Sequence, residues 1–216
     1  MNELNYMINP IENWIKIVFI LCSILILISR LNLRNRFKYF ITFWNIHRYF
    51  YFVSGERLNP YNNSTFFILR ILLSSLLVSY VFDKNNSFYE NNFENFLYWN
   101  IIFFVLITSK FAVEKLFSFI FNYKTEFIRI NKYRIGIKNL FSIHLYFFLF
   151  ILIFGGVNKD IAFNLSLFLV FTYHIFFYKF ISSKDIIRTP KSLVYFILYL
   201  CTFEIIPIVG IITLIK

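Results

Sequence analysis

The chain has 216 residues, of which 59% are hydrophobic and only 15% are charged, and its mean hydropathy is +0.64. Soluble domains carry about 25% charged and about 45–50% apolar residues, so this composition excludes an ordinary soluble globular protein. The formal net charge of +11 would suit a nucleic-acid-binding protein, but basic cytoplasmic loops of a membrane protein also explain it. We therefore expect a multi-spanning membrane protein whose partner is the lipid bilayer and not a nucleic acid.

Six apolar stretches come close to the ~20 helical residues that cross a bilayer core of ~30 Å. The first is the shortest and contains Lys16, whose long side chain can extend to the membrane interface. We predict an all-α fold, with residues 1–216 forming one integral membrane domain, a transmembrane helix bundle of about six spans. The predicted spans are Trp14–Ser29, Ser64–Phe82, Phe96–Phe117, Asn139–Val157, Ile161–Ile181 and Ser192–Ile215.

The lysines and arginines are concentrated in three of the connections between these spans. Residues 30–63, 110–138 and 179–191 hold 17 of the 22 basic residues, whereas most acidic residues lie on the other side. Because positively charged loops stay in the cytoplasm, we predict that both termini face the outside.

Two of these cytoplasmic connections have features of helices. Residues 37–53 mix aromatic side chains with scattered cations, which predicts an interfacial helix at headgroup level, with a re-entrant or short spanning segment as the alternative. The helical pattern of the third span continues to Phe121, and it places Lys110, Glu114 and Phe117 on one face. We expect this helix to project into the cytoplasmic headgroups.

The outer connections are simpler. Residues 83–95 are polar and predict a mobile loop, and Gly155-Gly-Val-Asn158 predicts a tight turn between the fourth and fifth spans.

Signatures of enzymes are missing from the sequence. It has no GxGxxG, P-loop, HExxH or GxSxG pattern and no paired aspartate motif, and it contains only five glycines. Cys22 and Cys201 both lie in apolar segments without a CxxC pattern, which is typical of small core residues. We predict no catalytic residues, no metal and no cofactor.

Glu204 is the most informative single residue, because it lies near the middle of the last apolar stretch. A charge at the bilayer centre costs ~2.5–3.5 kcal/mol, so this carboxyl must be paired, hydrated or protonated. Pro207 leaves the carbonyl of Phe203 without its helical donor and kinks the helix beside Glu204. We interpret Glu204 as a residue that locks the bundle, and the alternative is a proton or cation relay.

The same stretch carries a second polar stripe on its opposite face, formed by Tyr195, Tyr199 and Thr202. A helix that is polar on two sides cannot turn either side freely to lipid. We therefore expect Leu193–Gly210 to be the central helix of the bundle.

Arg70 is a candidate partner of Glu204. The predicted spans separate the two residues by roughly 9 Å along the membrane normal, which stretched side chains or a water molecule could bridge. The alternative is that Arg70 extends to the headgroups.

His144 and His174 lie at similar depths in the fourth and fifth spans. Two histidines at matched depth are weak candidates for the axial ligands of a haem between helices, and hydrogen-bonded structural histidines are the main interpretation.

One part of the sequence has a family resemblance. Leu198-Tyr-Leu-Cys-Thr-Phe-Glu-Ile-Ile-Pro207 resembles the LYLCTxEIxPL ending of an uncharacterised family of small polytopic membrane proteins in Bacteroidota, a domain of unknown function. Trp14 followed by an apolar run, and Lys110 to Lys115, resemble other parts of the same family. The resemblance implies a bacterial inner-membrane protein without an assigned activity, and it draws attention to Glu204 and Pro207 without giving them a role.

These observations leave three hypotheses for function. The first is a non-enzymatic component of a membrane or envelope complex, in contact with other membrane proteins. The second is a small transporter or permease that uses Glu204, Arg70 and the stripe of Tyr195, Tyr199 and Thr202. The third is an intramembrane enzyme, for which the sequence offers no nucleophile or metal ligands.

Overall fold

The computed structural model describes residues 12–33, 37, 60–81, 92–120 and 124–183, and the regular elements within these ranges are α-helices. Four of the five helices are long and apolar enough to cross a membrane, and the fifth is apolar over the shorter stretch Ile161–Phe176. The chain is therefore a multi-pass membrane protein. The helices are α1 (Asn13–Leu33), α2 (Pro60–Val81), α3 (Asn92–Ile120), α4 (Lys124–Phe154) and α5 (Lys159–Ser183).

Each of the first five predicted spans coincides with one of these helices. The sixth predicted span, Ser192–Ile215, lies outside the described residues, so the number of six spans stays a prediction. The predicted interfacial helix over 37–53 also lies outside them except for Phe37, which is helical and buried.

The largest difference from the sequence prediction concerns the connection 110–138, which is not a loop. Helix α3 continues to Ile120 and helix α4 begins at Lys124, so only residues 121–123 separate the two helices. The helical extension predicted for the third span is thus confirmed as far as Ile120, and helix α4 begins 15 residues before Asn139, the first residue of the fourth predicted span. The cations of this region therefore belong to helices.

Two smaller predictions about α3 also differ from the structure. The helix begins at Asn92, so the last residues of the polar connection 83–95 are helical. Its buried side runs from Glu114 to Ser118, one full turn later, whereas Phe117 is exposed. A turn of 3.6 residues places position 118 closer than position 117 to the direction of Glu114.

Contacts between the helices show that their directions alternate. α1 and α3 begin on the same side as the end of α4, and the first residues of α2 lie beside the last turns of α1. The defining contacts are Trp14 with Phe96 (ring centroids 5.2 Å apart), Ser29 with Thr65 (3.0 Å between hydroxyl oxygens), the Tyr80 hydroxyl with the Leu152 carbonyl (3.3 Å) and Phe141 with Tyr173 (ring centroids 4.6 Å apart).

Helices α2 and α4 each pack against every other described helix, and α2 makes the more extensive contacts, so it is the centre of the described bundle. In its apolar span 56% of the residues are buried, compared with 6% in the apolar span of α3. Leu69, Leu73 and Leu76 are almost completely buried, and the buried hydroxyls of Ser75 and Ser79 donate to carbonyls of their own helix. Small side chains of this kind let neighbouring helices approach closely.

The predicted tight turn between the fourth and fifth spans is confirmed. Gly156 has a φ of +62°, the left-handed conformation that glycine adopts without steric cost at the end of a helix. The Val157 amide donates to the Leu152 carbonyl at 3.3 Å, which is the 6→1 hydrogen bond of a Schellman motif. The hydroxyl of Tyr80 donates to the same carbonyl, so α2 helps to cap α4.

The described charges are divided between the two ends of the bundle. Arg30 in the last turn of α1 and Lys115 near the end of α3 lie towards the end where α3 turns into α4. The opposite end carries Glu12, Lys16 and Glu94, at the starts of α1 and α3. The first end is called the basic end below.

Candidate functional site

The main polar feature of the described bundle is an ion pair between α3 and α4. Nη1 of Arg134 lies 2.6 Å from Oε2 of Glu114, and the two residues are only 6% and 1% exposed. Nη2 of Arg134 donates to Oδ1 of Asn131 at 2.6 Å, one turn earlier on α4. Two opposite charges are therefore held together inside the bundle, where the low dielectric strengthens their attraction.

The hairpin of α3 and α4 explains why these two residues meet. Glu114 lies six residues before the end of α3 and Arg134 lies ten residues after the start of α4, so both are within the basic half of the hairpin. Ser118, one turn closer to the connection, is also buried, and its hydroxyl donates to the carbonyl of Lys115 at 2.9 Å. Small buried residues of this kind let neighbouring helices approach closely.

The Glu114 carboxylate is held by charge more than by aligned hydrogen bonds. Both of its oxygens are buried, and neither has a partner with hydrogen-bond geometry in the part of the chain that the structure describes. The short contact with Arg134 therefore carries its stabilisation. Removing the arginine would leave a buried carboxylate without a counter-charge, which is a severe cost.

A second arginine, Arg70 of α2, lies within electrostatic range of Arg134, so that the two positive charges repel each other. Its Nε is buried and has no hydrogen-bond partner among the described residues. Together, Arg70, Arg134 and Glu114 form a charge cluster with two cations and one anion, and the name charge cluster is used for these three residues below.

Two members of the charge cluster, Glu114 and Arg70, are also candidate residues from the sequence. A third candidate, Lys110, lies half-buried one turn before Glu114 on α3. The sequence prediction places Arg134 in a cytoplasmic connection and does not single it out. Its helical context was a usable signal, because Ile137, Phe141 and Leu145 follow it at helical spacing and all three are buried or half-buried.

The remaining candidates of the last apolar stretch are Tyr195, Tyr199, Thr202, Glu204 and Pro207, and they lie outside the described residues. Their roles, the pairing of Glu204 with Arg70, and the central position of Leu193–Gly210 therefore stay predictions.

The two histidines are both anchored on their own helices. Nδ1 of His144 lies 3.1 Å from the carbonyl of Leu140, and Nδ1 of His174 lies 2.9 Å from the carbonyl of Val170. The His144 ring also packs beside the ring of Tyr173, with centroids 5.9 Å apart. These contacts agree with the structural interpretation of the histidines. Within the described ranges, no three His, Cys, Asp or Glu residues are grouped as metal ligands would be.

Comparison with known proteins gives one result. A family described as "Domain of unknown function (DUF4271)" matches residues 15–215. No curated protein and no solved structure matches the chain. Because the match covers nearly the whole length, the chain belongs to the DUF4271 family, whose description agrees with the uncharacterised family that the sequence resembles.

Proposed function

We propose that this protein is a six-span protein of a bacterial inner membrane with both termini outside. The alternating directions of the described helices support an odd number of crossings up to the end of α5. A sixth crossing over Ser192–Ile215 would then return the chain to its starting side. The basic end of the bundle becomes the cytoplasmic end by the positive-inside rule.

A tag at the C-terminus tests this topology. In intact spheroplasts, a protease or an impermeant label added from outside should reach a C-terminal tag, and a tag inserted at residues 121–123 should stay protected. A C-terminal tag that becomes accessible only after the membrane is opened would contradict the proposed topology.

Within that membrane, the protein acts as a non-enzymatic component of a membrane or envelope complex. The observation that carries this proposal is the outward-facing side of α3, a helix of 29 residues with only 6% of its apolar span buried. Large apolar side chains are exposed along its length, among them Ile101, Phe104 and Val105. Between Glu94 and Lys110 this helix carries no charged residue, so its exposed apolar side suits contact with lipid or with another membrane protein.

Purification from native membranes tests the complex. The tagged full chain, extracted in a mild detergent, should elute with one or more membrane proteins in constant proportion. Val105→Trp, on the exposed side of α3, should release these proteins without lowering the amount of the chain. Phe168→Trp, on the exposed side of α5, is the matched control. Elution of the wild type as a free monomer under all mild conditions would overturn the proposal.

A second candidate function is a small permease that uses Glu204 and Arg70, with Tyr195, Tyr199 and Thr202 lining its path. The observation that favours it is the buried Nε of Arg70, which lacks a hydrogen-bond partner within the described helices. Ionisable residues inside a membrane commonly mark the path of a substrate or a proton.

Glu204→Gln separates the two candidates, because glutamine keeps the shape of the side chain and removes its charge. Normal protein abundance with lost growth would support a permease, in which the carboxyl carries a proton or cation. Lost abundance would support the structural role of Glu204. Glu94→Gln is the control, since Glu94 is an exposed acid at the start of α3 and should change neither readout.

A further inference from the structure

We propose that Arg70 binds one phosphate group at the basic half of the bundle. The group belongs to an anionic phospholipid headgroup or to a free phosphate ion, and both sources offer the same chemistry to the guanidinium group. This inference does not depend on either candidate function, because a complex subunit can hold a lipid and a permease can hold an anionic substrate.

The charge cluster carries a net positive charge, because it contains two arginines and one glutamate. Nη1 of Arg134 contacts Glu114 and Nη2 donates to Asn131, so the only carboxylate of the cluster is already engaged. Arg70 adds a second positive charge that repels Arg134. An uncompensated charge inside a low-dielectric bundle is strongly unfavourable, so an anion beside Arg70 would stabilise the fold.

Arg70 also has hydrogen-bonding capacity that the described helices do not use. Its buried Nε is a donor without an acceptor in the described part of the chain. A buried donor that stays unpaired costs free energy, and native proteins rarely leave one so. A phosphate group suits a guanidinium well, because the planar group can donate two parallel hydrogen bonds to two of the phosphate oxygens.

Arg70 lies close to the basic end of the apolar part of α2. It is seven residues from the start of the apolar span Asn63–Tyr80, which corresponds to about 10 Å along the helix. Side chains on a helix lean towards its N-terminus, and for α2 this direction leads to the basic end. An extended Arg70 side chain is therefore directed towards the headgroups at that end.

Several lysines add to the positive electrostatic potential at the basic half of the bundle. Lys132 and Lys138 flank Arg134 along α4, and Lys110 and Lys115 flank Glu114 along α3. Clusters of cations attract anions and raise their local concentration. Basic pockets between transmembrane helices on the cytoplasmic side are a known arrangement for phospholipid headgroups.

The test uses the purified full chain in a maltoside detergent, which contains no phosphate. Thermal unfolding is followed while three probes are added separately: phosphatidylglycerol, diacylglycerol as a lipid without phosphate, and inorganic phosphate at constant ionic strength. A ligand that binds the native state raises the unfolding temperature. We expect phosphatidylglycerol or inorganic phosphate to raise it, and diacylglycerol to leave it unchanged.

Arg70→Gln should lower the affinity for the active probe by roughly tenfold or more, because a charge-assisted hydrogen bond is lost. Arg30→Gln is the matched control, since it removes an exposed cation of α1 from the same end of the bundle and should keep nearly the wild-type affinity. If Arg70→Gln does not fold, Arg70→Lys keeps the charge and removes the planar fork, and it should bind the probe more weakly than the wild type.

The outcomes decide both the site and its ligand. A response to phosphatidylglycerol alone assigns a lipid headgroup, and a response to inorganic phosphate without lipid assigns a free anion. A wild type that responds to neither probe would overturn the proposal, and so would an Arg70→Gln variant that binds as Arg30→Gln does. The double variant Arg70→Glu with Glu204→Arg tests the alternative partner. If it is as stable as the wild type, and the wild type responds to neither probe, the carboxylate of Glu204 compensates the charge of Arg70.

Discussion

Among single residues, Glu114 and Arg134 have the clearest structural role in the described part of the chain. Each is a charge that could not stay in an apolar bundle alone, and each is placed on a different helix. Their ion pair can therefore form only when α3 and α4 pack in the correct register. Buried ion pairs add little net stability over apolar packing, but they strongly penalise arrangements that separate the charges.

Glu114→Ala should destabilise the protein by about 3–5 kcal/mol, because it leaves Arg134 buried without its counter-charge. The free energy of unfolding can be measured by titration with a denaturing detergent in mixed micelles. The double variant Glu114→Met with Arg134→Met should recover most of the loss, since both charges are then removed. Lys115→Ala, an exposed neighbour, should stay within about 0.5 kcal/mol of the wild type. Equal losses for Glu114→Ala and Lys115→Ala would disprove the role of the pair.

Among the elements, the turn from α4 to α5 shows how local chemistry controls the path of the chain. Gly155 and Gly156 end α4, and the hydroxyl of Tyr80 reaches the last carbonyls of that helix from α2. A Cβ added at Gly155 would collide with the backbone carbonyl oxygen of Ile151, and Gly156 has a left-handed conformation. The two glycines are therefore required for different reasons, one by space and one by backbone conformation.

Gly156→Ala should cost roughly 1–2 kcal/mol of stability, because a Cβ disfavours the left-handed backbone at this position. Gly156→Asn should cost less, since asparagine tolerates this conformation and also ends helices in this way. The space around Gly156 is open, so neither side chain meets a steric obstacle. Unfolding in mixed micelles measures both variants, and a larger loss for asparagine than for alanine would contradict this explanation.

At the scale of the whole molecule, the described helices are arranged around α2. It contacts all the other described helices, and it also carries Arg70, so the charge cluster lies against the most buried helix. In a membrane, lipid tails are as apolar as leucine, so the hydrophobic effect does not drive helices together. Close van der Waals packing stabilises their association instead. The stability of this fold should therefore depend on packing at α2 more than on the apolar content of any helix.

Leu73→Ala and Leu116→Ala remove the same atoms from a buried and from an exposed position, on α2 and α3 respectively. Leu73→Ala should cost at least ~2 kcal/mol, because it opens a cavity in the packed centre of the bundle. Leu116→Ala should change the stability little, since lipid can fill the space. Equal losses for the two variants would mean that α2 is not the packing centre of the native protein.

Part of the fold could be predicted from the sequence, because it depends on local features of the chain. The structure confirms five predicted apolar helical segments, the continuation of the third helix to Ile120 and the tight turn at Gly155 and Gly156. The sequence predicts the site less completely. It names Glu114 and Arg70, but it does not single out Arg134. The reason is that the lysines and arginines over 110–138 are interpreted together, as evidence that this connection is cytoplasmic.

By itself, the sequence determined the class of the protein, the approximate positions of the five described helices and the end of the bundle that carries most cations. These properties depend on local hydrophobicity, helical length and turn chemistry, which are read over a few neighbouring residues. Only the tertiary structure decided which helix lies at the centre and which charges meet. Glu114 and Arg134 are 20 residues apart, and their contact depends on how α3 packs against α4, which no local pattern encodes.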